Sequence, residues 1–163
     1  MYRHFASKAE LSTEAFRRAS ARELAVVGEV TADDGRPARE RIAAGVEAFS
    51  RRALAAPKRA YALIAEPVDP AVEAERLVFR RGYRDVFMRT LDDGIKAGEF
   101  DPHDTETVAA ALVGALGEAL VGPLSSRERN GHEALVATLV NFSLNAIPGA
   151  RESDPRPQPV RTR

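Results

Sequence analysis

The chain has 163 residues, 44% of them hydrophobic and 29% charged, and this length favours one globular domain over two. The 24 basic and 24 acidic side chains cancel, so net charge does not draw the protein to nucleic acid or to an anionic membrane. The absence of cysteine excludes disulfides, thiolate zinc sites and cysteine nucleophiles. With no cationic, apolar leader in the sequence, we expect a cytoplasmic protein.

The front half of the chain predicts three helices, and no segment alternates with period two for long enough to indicate a strand. The first helix begins near Lys8 and continues to about Val30. The second begins at Pro37 and ends before Pro57, after which a short helix follows. The second helix has one apolar stripe, formed by Ile42, Val46, Phe49 and Ala53.

The back half predicts three more helices. A long one extends from about Pro70 to Gly98 and is capped by Asp69. The next begins at Asp104 and ends near Val121, and its middle is apolar nearly all round, so we expect it to be buried on almost every face. Glu118, Gly122 and Pro123 interrupt the apolar stretch, so no membrane helix is predicted. The last helix covers about 132–146, which makes the fold class all-α with about six helices.

The last two helices predict a homodimer, because they offer more apolar surface than one small domain is expected to cover. Gly114 and Gly117 would let two helix axes approach closely. A four-helix contact across a two-fold axis is then expected. The alternative is that both helices cross the core of a single chain. The expected interface residues are Leu112, Leu116, Leu120, Leu135, Leu139 and Phe142.

The sequence offers little chemistry for an enzyme. The three histidines, His4, His103 and His132, lie in unrelated contexts, and the segment HEALV lacks the second histidine of a zincin helix. There is no Gly-rich phosphate loop and no GxSxG motif. We therefore expect no catalysis, no metal and no cofactor, although a site assembled from distant residues would not be visible in the sequence.

The segment YRHFASKAEL resembles the junction that follows the recognition helix in tetracycline-repressor-like (TetR) bacterial regulators, and GIKAGEFDPHDTETVAAALVGAL resembles that family's passage into its first dimerisation helix. The resemblance covers the family's C-terminal regulatory domain. It implies that residues 1–7 are a remnant of the recognition helix, and that Tyr2, His4 and Lys8 contact DNA phosphates. The helix-turn-helix that reads bases in this family would precede them. Operator DNA is accordingly expected as a partner only of a longer form.

The resemblance further implies an effector-binding and dimerisation domain over residues 8–147, and composition predicts a disordered tail over 148–163. The expected function is a transcriptional regulator, a repressor, that senses a small apolar or amphipathic molecule and does not enter a membrane. A helical dimerisation module without a ligand, or a helical enzyme with a scattered site, are the alternatives. The expected pocket residues are Phe49, Tyr61, Phe79, Tyr83, Arg84, Phe87 and Met88.

Overall fold

A computed structural model describes residues 8–126 and 130–149, with side chains from Glu10 onward. Within these ranges the chain is all-α and has no strand, which confirms the predicted fold class. The whole 1–7 remnant, with Tyr2 and His4, and the tail from residue 150 lie outside the described residues. The six helices are α1 (Lys8–Val30), α2 (Ala38–Ala55), α3 (Pro57–Ile64), α4 (Pro70–Lys96), α5 (Thr105–Ser125) and α6 (His132–Asn145).

Most helices begin close to the residues predicted from the sequence, because a polar cap or a proline determines the boundary. The Asp69 carboxylate accepts hydrogen bonds from the amides of Ala71 and Val72 at 2.9 and 3.1 Å, and so begins α4. The Asp104 carboxylate accepts from the Thr107 amide at 3.2 Å and begins α5. Pro57 occupies the first turn of α3, where its missing amide hydrogen costs nothing. The local sequence therefore separates the helices before any packing is considered.

One hydrophobic core joins the helices. Helix α4 packs against α1, α2 and α5, while α2 also contacts α6 and α3 lies on α5. The stripe predicted on α2 points into this core, since Ile42 and Val46 are fully buried and Ala53 nearly so. Phe87 and Leu91 from the middle of α4 are equally buried. The long helix α4 is thus the central element of the fold.

Helix α5 departs from its prediction in two ways. It continues through Pro123 to Ser125 instead of ending near Val121, and Leu124 in this last turn is only 5% exposed. Burial of Leu124 holds a turn that proline would otherwise end. The helix is also not buried on every face within the single chain. Its core side carries Ala109, Leu112, Leu116, Leu120 and Leu124, whereas its outward side, carrying Ala111, Glu118, Ala119 and Gly122, is exposed.

Helix α5 is also, by length and composition, the one helix among the described residues that could cross a membrane, with a mean hydropathy of 1.7 over 18 residues. A core helix of a globular protein meets the same criterion. In this chain α5 contacts α2, α3 and α4, and 28% of its apolar window is buried.

The expected interface leucines require a correction. Leu112, Leu116 and Leu120 are at most 2% exposed and Leu139 is 5% exposed, all within one chain. Their side chains pack in the core and are not available to a second copy, so assigning these four to a dimer interface was wrong. Leu135 is half-buried and packs against the core, and Phe142 is 51% exposed. The alternative, in which both helices contribute to the core of one chain, holds for the leucine sides of α5 and α6.

Candidate ligand pocket

A cavity of about 770 Å³ lies between α1, α2, α3, α4 and α5. Its size falls in the range of small-molecule sites, which is roughly 300–1,000 Å³. Most of its wall is apolar, and five aromatic rings are among its large side chains. Its aromatic lining consists of Phe16, Phe49, Phe79, Tyr83 and Phe87.

Two ring pairs shape this aromatic wall. Phe49 of α2 and Tyr83 of α4 meet edge to face with their centroids 5.3 Å apart. Phe16 of α1 and Phe79 of α4 are tilted against each other at 6.5 Å. Both separations are in the favourable range for aromatic pairs. The pairs hold α4 to the helices on either side of it while leaving ring surface directed to the cavity.

The pocket side of α5 is built from small residues. Ala110, Val113, Gly114, Gly117 and Val121 all line the cavity. A Cβ added at Gly114 would meet nothing within 4 Å, and one added at Gly117 would come no closer than 4.0 Å to Ile64. The two glycines thus keep part of the cavity empty. Their expected role in bringing two helices close together stays a prediction, and Gly114 is exposed as well as lining the cavity.

The polar wall on α1 and α2 is a cluster of charged groups around Glu23. Its carboxylate accepts a hydrogen bond from Arg52 Nε at 2.6 Å and lies 3.2 Å from Arg59 Nη2. The Glu23 side chain is only 15% exposed. Burial raises the pKa of the nearby Tyr83 hydroxyl, and the negative charge of Glu23 acts in the same direction. The phenol therefore stays protonated at neutral pH and can donate a hydrogen bond.

Arg76 closes the end of the cavity next to α3. Its guanidinium donates to the carbonyl oxygens of Leu63 at 3.1 Å, Glu66 at 2.6 Å and Ala62 at 3.3 Å. It also lies 5.9 Å from the centroid of the Phe16 ring. These bonds satisfy carbonyl groups that the last turn of α3 leaves without helical partners. Arg76 therefore fixes α3 and α4 as neighbouring walls.

The residues expected in the pocket are brought together only in part. Phe49, Phe79, Tyr83, Arg84 and Phe87 line the cavity. Tyr61 and Met88 do not, because both pack as partly buried side chains against the hydrophobic core. Most of the charged lining was not predicted from the sequence. That lining includes Glu23, Arg52, Arg59, Arg76, Arg80, Arg81 and Glu118.

The remaining expected site residues have other surroundings. Lys8 begins α1, and Tyr2 and His4 precede the described residues, so phosphate contact by these three stays a prediction. His103 Nδ1 lies 2.7 Å from the Asp101 carbonyl oxygen in the turn before α5, and His132 begins α6. No group of three or more His, Asp or Glu side chains suited to a metal occurs in residues 10–126 and 130–149.

Comparison with known protein families supplies the assignment. A model described as tetracyclin repressor-like, C-terminal domain, matches residues 35–119, which is more than half of the chain. The chain belongs to this family. The match begins just before α2 and ends within α5, so it contains most of the cavity wall. No curated protein matches the chain.

Proposed function

We propose that this TetR-like domain is the small-molecule-sensing and dimerisation domain of a transcriptional regulator that acts as a repressor. The observation that carries the proposal is the cavity of about 770 Å³, walled mainly by aromatic and small side chains within the family-matched region. A closed hydrophobic core would have filled this space, because protein interiors are packed to nearly crystalline density. An effector in the cavity would contact α1 through Phe16 and α4 through Phe79.

The dimerisation part of the proposal rests on the outward sides of the last two helices. On α5, Ala111 and Gly114 are exposed and lie about one turn apart. Ala119 and Gly122 repeat this arrangement further along the helix. On α6, Ala134, Ala137 and Phe142 are exposed. Small residues allow two helices to approach closely, and an exposed Phe provides the large apolar contact that interfaces favour. A second copy of the chain is the partner proposed here.

The sensing part is tested with 1-N-phenylnaphthylamine, a neutral apolar dye whose fluorescence rises in an apolar environment. We expect saturable binding of one dye per chain. Gly117→Phe should abolish it, because the phenyl group would occupy the cavity. Gly117→Ala is the matched control, since its Cβ meets Ile64 only at an ordinary contact distance and leaves the cavity open.

The outcomes separate the competing functions. Saturable binding that Gly117→Phe removes supports a sensor. A folded dimer that takes up no dye would instead indicate a dimerisation module without a ligand. Repression is read from transcripts of neighbouring genes, which should rise when the gene is deleted and fall if the protein is an activator.

A further inference from the structure

The cavity has an excess of positive charge that its apolar wall does not require. Six arginines line it, against two acidic residues, Glu23 and Glu118. Glu23 pairs with both Arg52 and Arg59, so this cluster has two positive charges and one negative charge. Glu118 lies on the exposed edge of α5 and makes no ion pair with any described residue. The remaining question is which arginines are already used by the fold.

Three of the six arginines have structural partners. Arg76 gives its N–H groups to three backbone carbonyls and to Glu73, which leaves almost no donor for a ligand. Arg52 and Arg59 hold Glu23 between them. These three side chains shape the wall, and their charge contributes to the potential in the cavity.

The other three arginines, Arg80, Arg81 and Arg84, lie within five residues on α4 and have free donors. In the described part of the chain Arg80 and Arg81 make no hydrogen bond and no ion pair. Arg84 pairs with Glu106 through Nη1 at 3.2 Å, and its buried Nε lies 3.7 Å from Asp85 Oδ1, which is too far for a hydrogen bond. The Nε donor therefore has a nearby charge but no hydrogen bond, and a ligand acceptor within bonding distance would supply one.

We propose, on the basis of the sensing function above, that the effector is an amphipathic organic anion. Its apolar body lies among Phe16, Phe49, Phe79 and Phe87, and its carboxylate-like head group is bound by Arg80, Arg81 and Arg84. Guanidinium groups present N–H donors in a planar fork that matches a carboxylate. Arg80 and Arg81 line the cavity and are also exposed, so the head group lies where the cavity meets solvent. A cationic ligand of the same shape would be repelled by the same arginines.

The test compares three probes with the same ten-carbon chain: decanoate, decanol and decylamine, each below its micelle concentration. Their binding to the full chain is measured by displacement of 1-N-phenylnaphthylamine. We expect decanoate to bind about tenfold or more tightly than decanol, the size of effect given by one charge-assisted hydrogen bond. Decylamine should bind more weakly than decanol.

Two variants locate the charge selection. Arg84→Gln and Arg80→Gln should each lower decanoate affinity about tenfold and leave decanol affinity unchanged. Arg89→Gln is the matched control, because Arg89 is exposed on the same helix and does not line the cavity. Unchanged decanol binding also shows that each variant is folded.

The possible failures are distinguishable. Equal affinity for decanoate and decanol would overturn the anion proposal and leave the sensing function standing. Tighter binding of decylamine would overturn it and assign the cavity to cations through Glu23 and Glu118. If none of the three probes displaces the bound dye, the anion proposal fails, whereas a lack of saturable dye binding would overturn the sensing function itself. If Arg89→Gln also lost the preference for decanoate over decanol, the preference would come from the positive charge of the protein surface and not from contacts in the pocket.

Discussion

Arg76 is a charged residue that sequence patterns would place at the surface, and yet it is only 7% exposed. Its position is explained by backbone carbonyls at the end of α3 that no helical amide can reach. The guanidinium supplies donors from three nitrogens in one plane, which a lysine ammonium with a single nitrogen could not arrange in the same directions. The fold thus depends on this particular cation.

Replacing Arg76 tests that dependence. Arg76→Lys should lower the free energy of unfolding by about 2 kcal/mol or more, since a lysine keeps the charge but cannot reach all three carbonyls at once. Urea unfolding followed by circular dichroism measures the change. Arg80→Lys is the control, because Arg80 is exposed and has no described partner. Equal stabilities of the two lysine variants would contradict the structural role of Arg76.

Gly94 is a second residue on which the packing of the fold depends. It lies in α4 beneath the ring of Phe100, and a Cβ added there would overlap that ring and touch Ala38. Phe100 is 4% exposed and follows a turn in which Gly98 adopts a φ of +75°. The aromatic ring therefore closes this turn only because Gly94 has no side chain.

Two alanine substitutions of helical glycines should have opposite effects. Gly94→Ala is expected to destabilise the protein by about 1–3 kcal/mol through overpacking. Gly28→Ala in α1 is expected to stabilise it by about 0.5–1 kcal/mol, because its Cβ would lie 4.0 Å from Val86 and the unfolded chain would lose entropy. Thermal or urea unfolding gives both values, and the same sign for both changes would refute the packing argument.

At the scale of whole helices, boundaries were predictable where a cap or a proline determines them and less so where packing does. The start of α4 at Asp69 and that of α5 at Asp104 follow from local hydrogen bonds. The end of α5 does not, because burial of Leu124 in the core outweighs the effect of Pro123. Such a tertiary contact leaves no local mark in the sequence.

The Asp69 cap provides a direct test at this scale. Asp69→Ala should lower the free energy of unfolding by about 1 kcal/mol, since the amides of Ala71 and Val72 lose their acceptor. Asp69→Asn keeps a side-chain oxygen and should be nearly neutral. The free energy of unfolding of both variants is measured by denaturant unfolding. An equal decrease in the two variants would mean that the charge of Asp69 stabilises the helix and that its hydrogen bonds to the amides do not.

The pocket was only partly predictable for a related reason. Large aromatic residues at helical spacing on α2 and α4 indicated a wall, and five of the seven expected residues line the cavity. Tyr61 of α3 and Met88 of α4 were expected there as further large side chains of the central helices, although they pack on the core. The arginine spacing on α4 shows that Arg80 and Arg84 share a face. Only the fold shows that this face borders an empty space.

On the scale of the whole molecule, the outward side of α5 predicts how two copies would associate. Ala111→Arg places a long charged side chain on an exposed position, so the monomer should fold normally while the dimer dissociation constant rises at least about tenfold. Sedimentation velocity measures this. Ala74→Arg is the matched control, since Ala74 is exposed on α4 away from α5's outward side. A wild-type chain that stays monomeric at micromolar concentration would contradict the interface.

Helix α5 borders three different environments at once. Leu112 and Leu116 face the core, Val113 and Gly117 face the cavity, and Ala111 and Ala119 face outward. A single layer of backbone would therefore separate an effector in the cavity from a second copy at the proposed interface. By thermodynamic linkage, if filling the cavity changes the dimer dissociation constant by some factor, dimerisation must change effector affinity by the same factor. The dimer dissociation constant can be measured with and without effector, and the effector affinity can be measured for the monomer and for the dimer. The two pairs of measurements would give the same coupling factor independently.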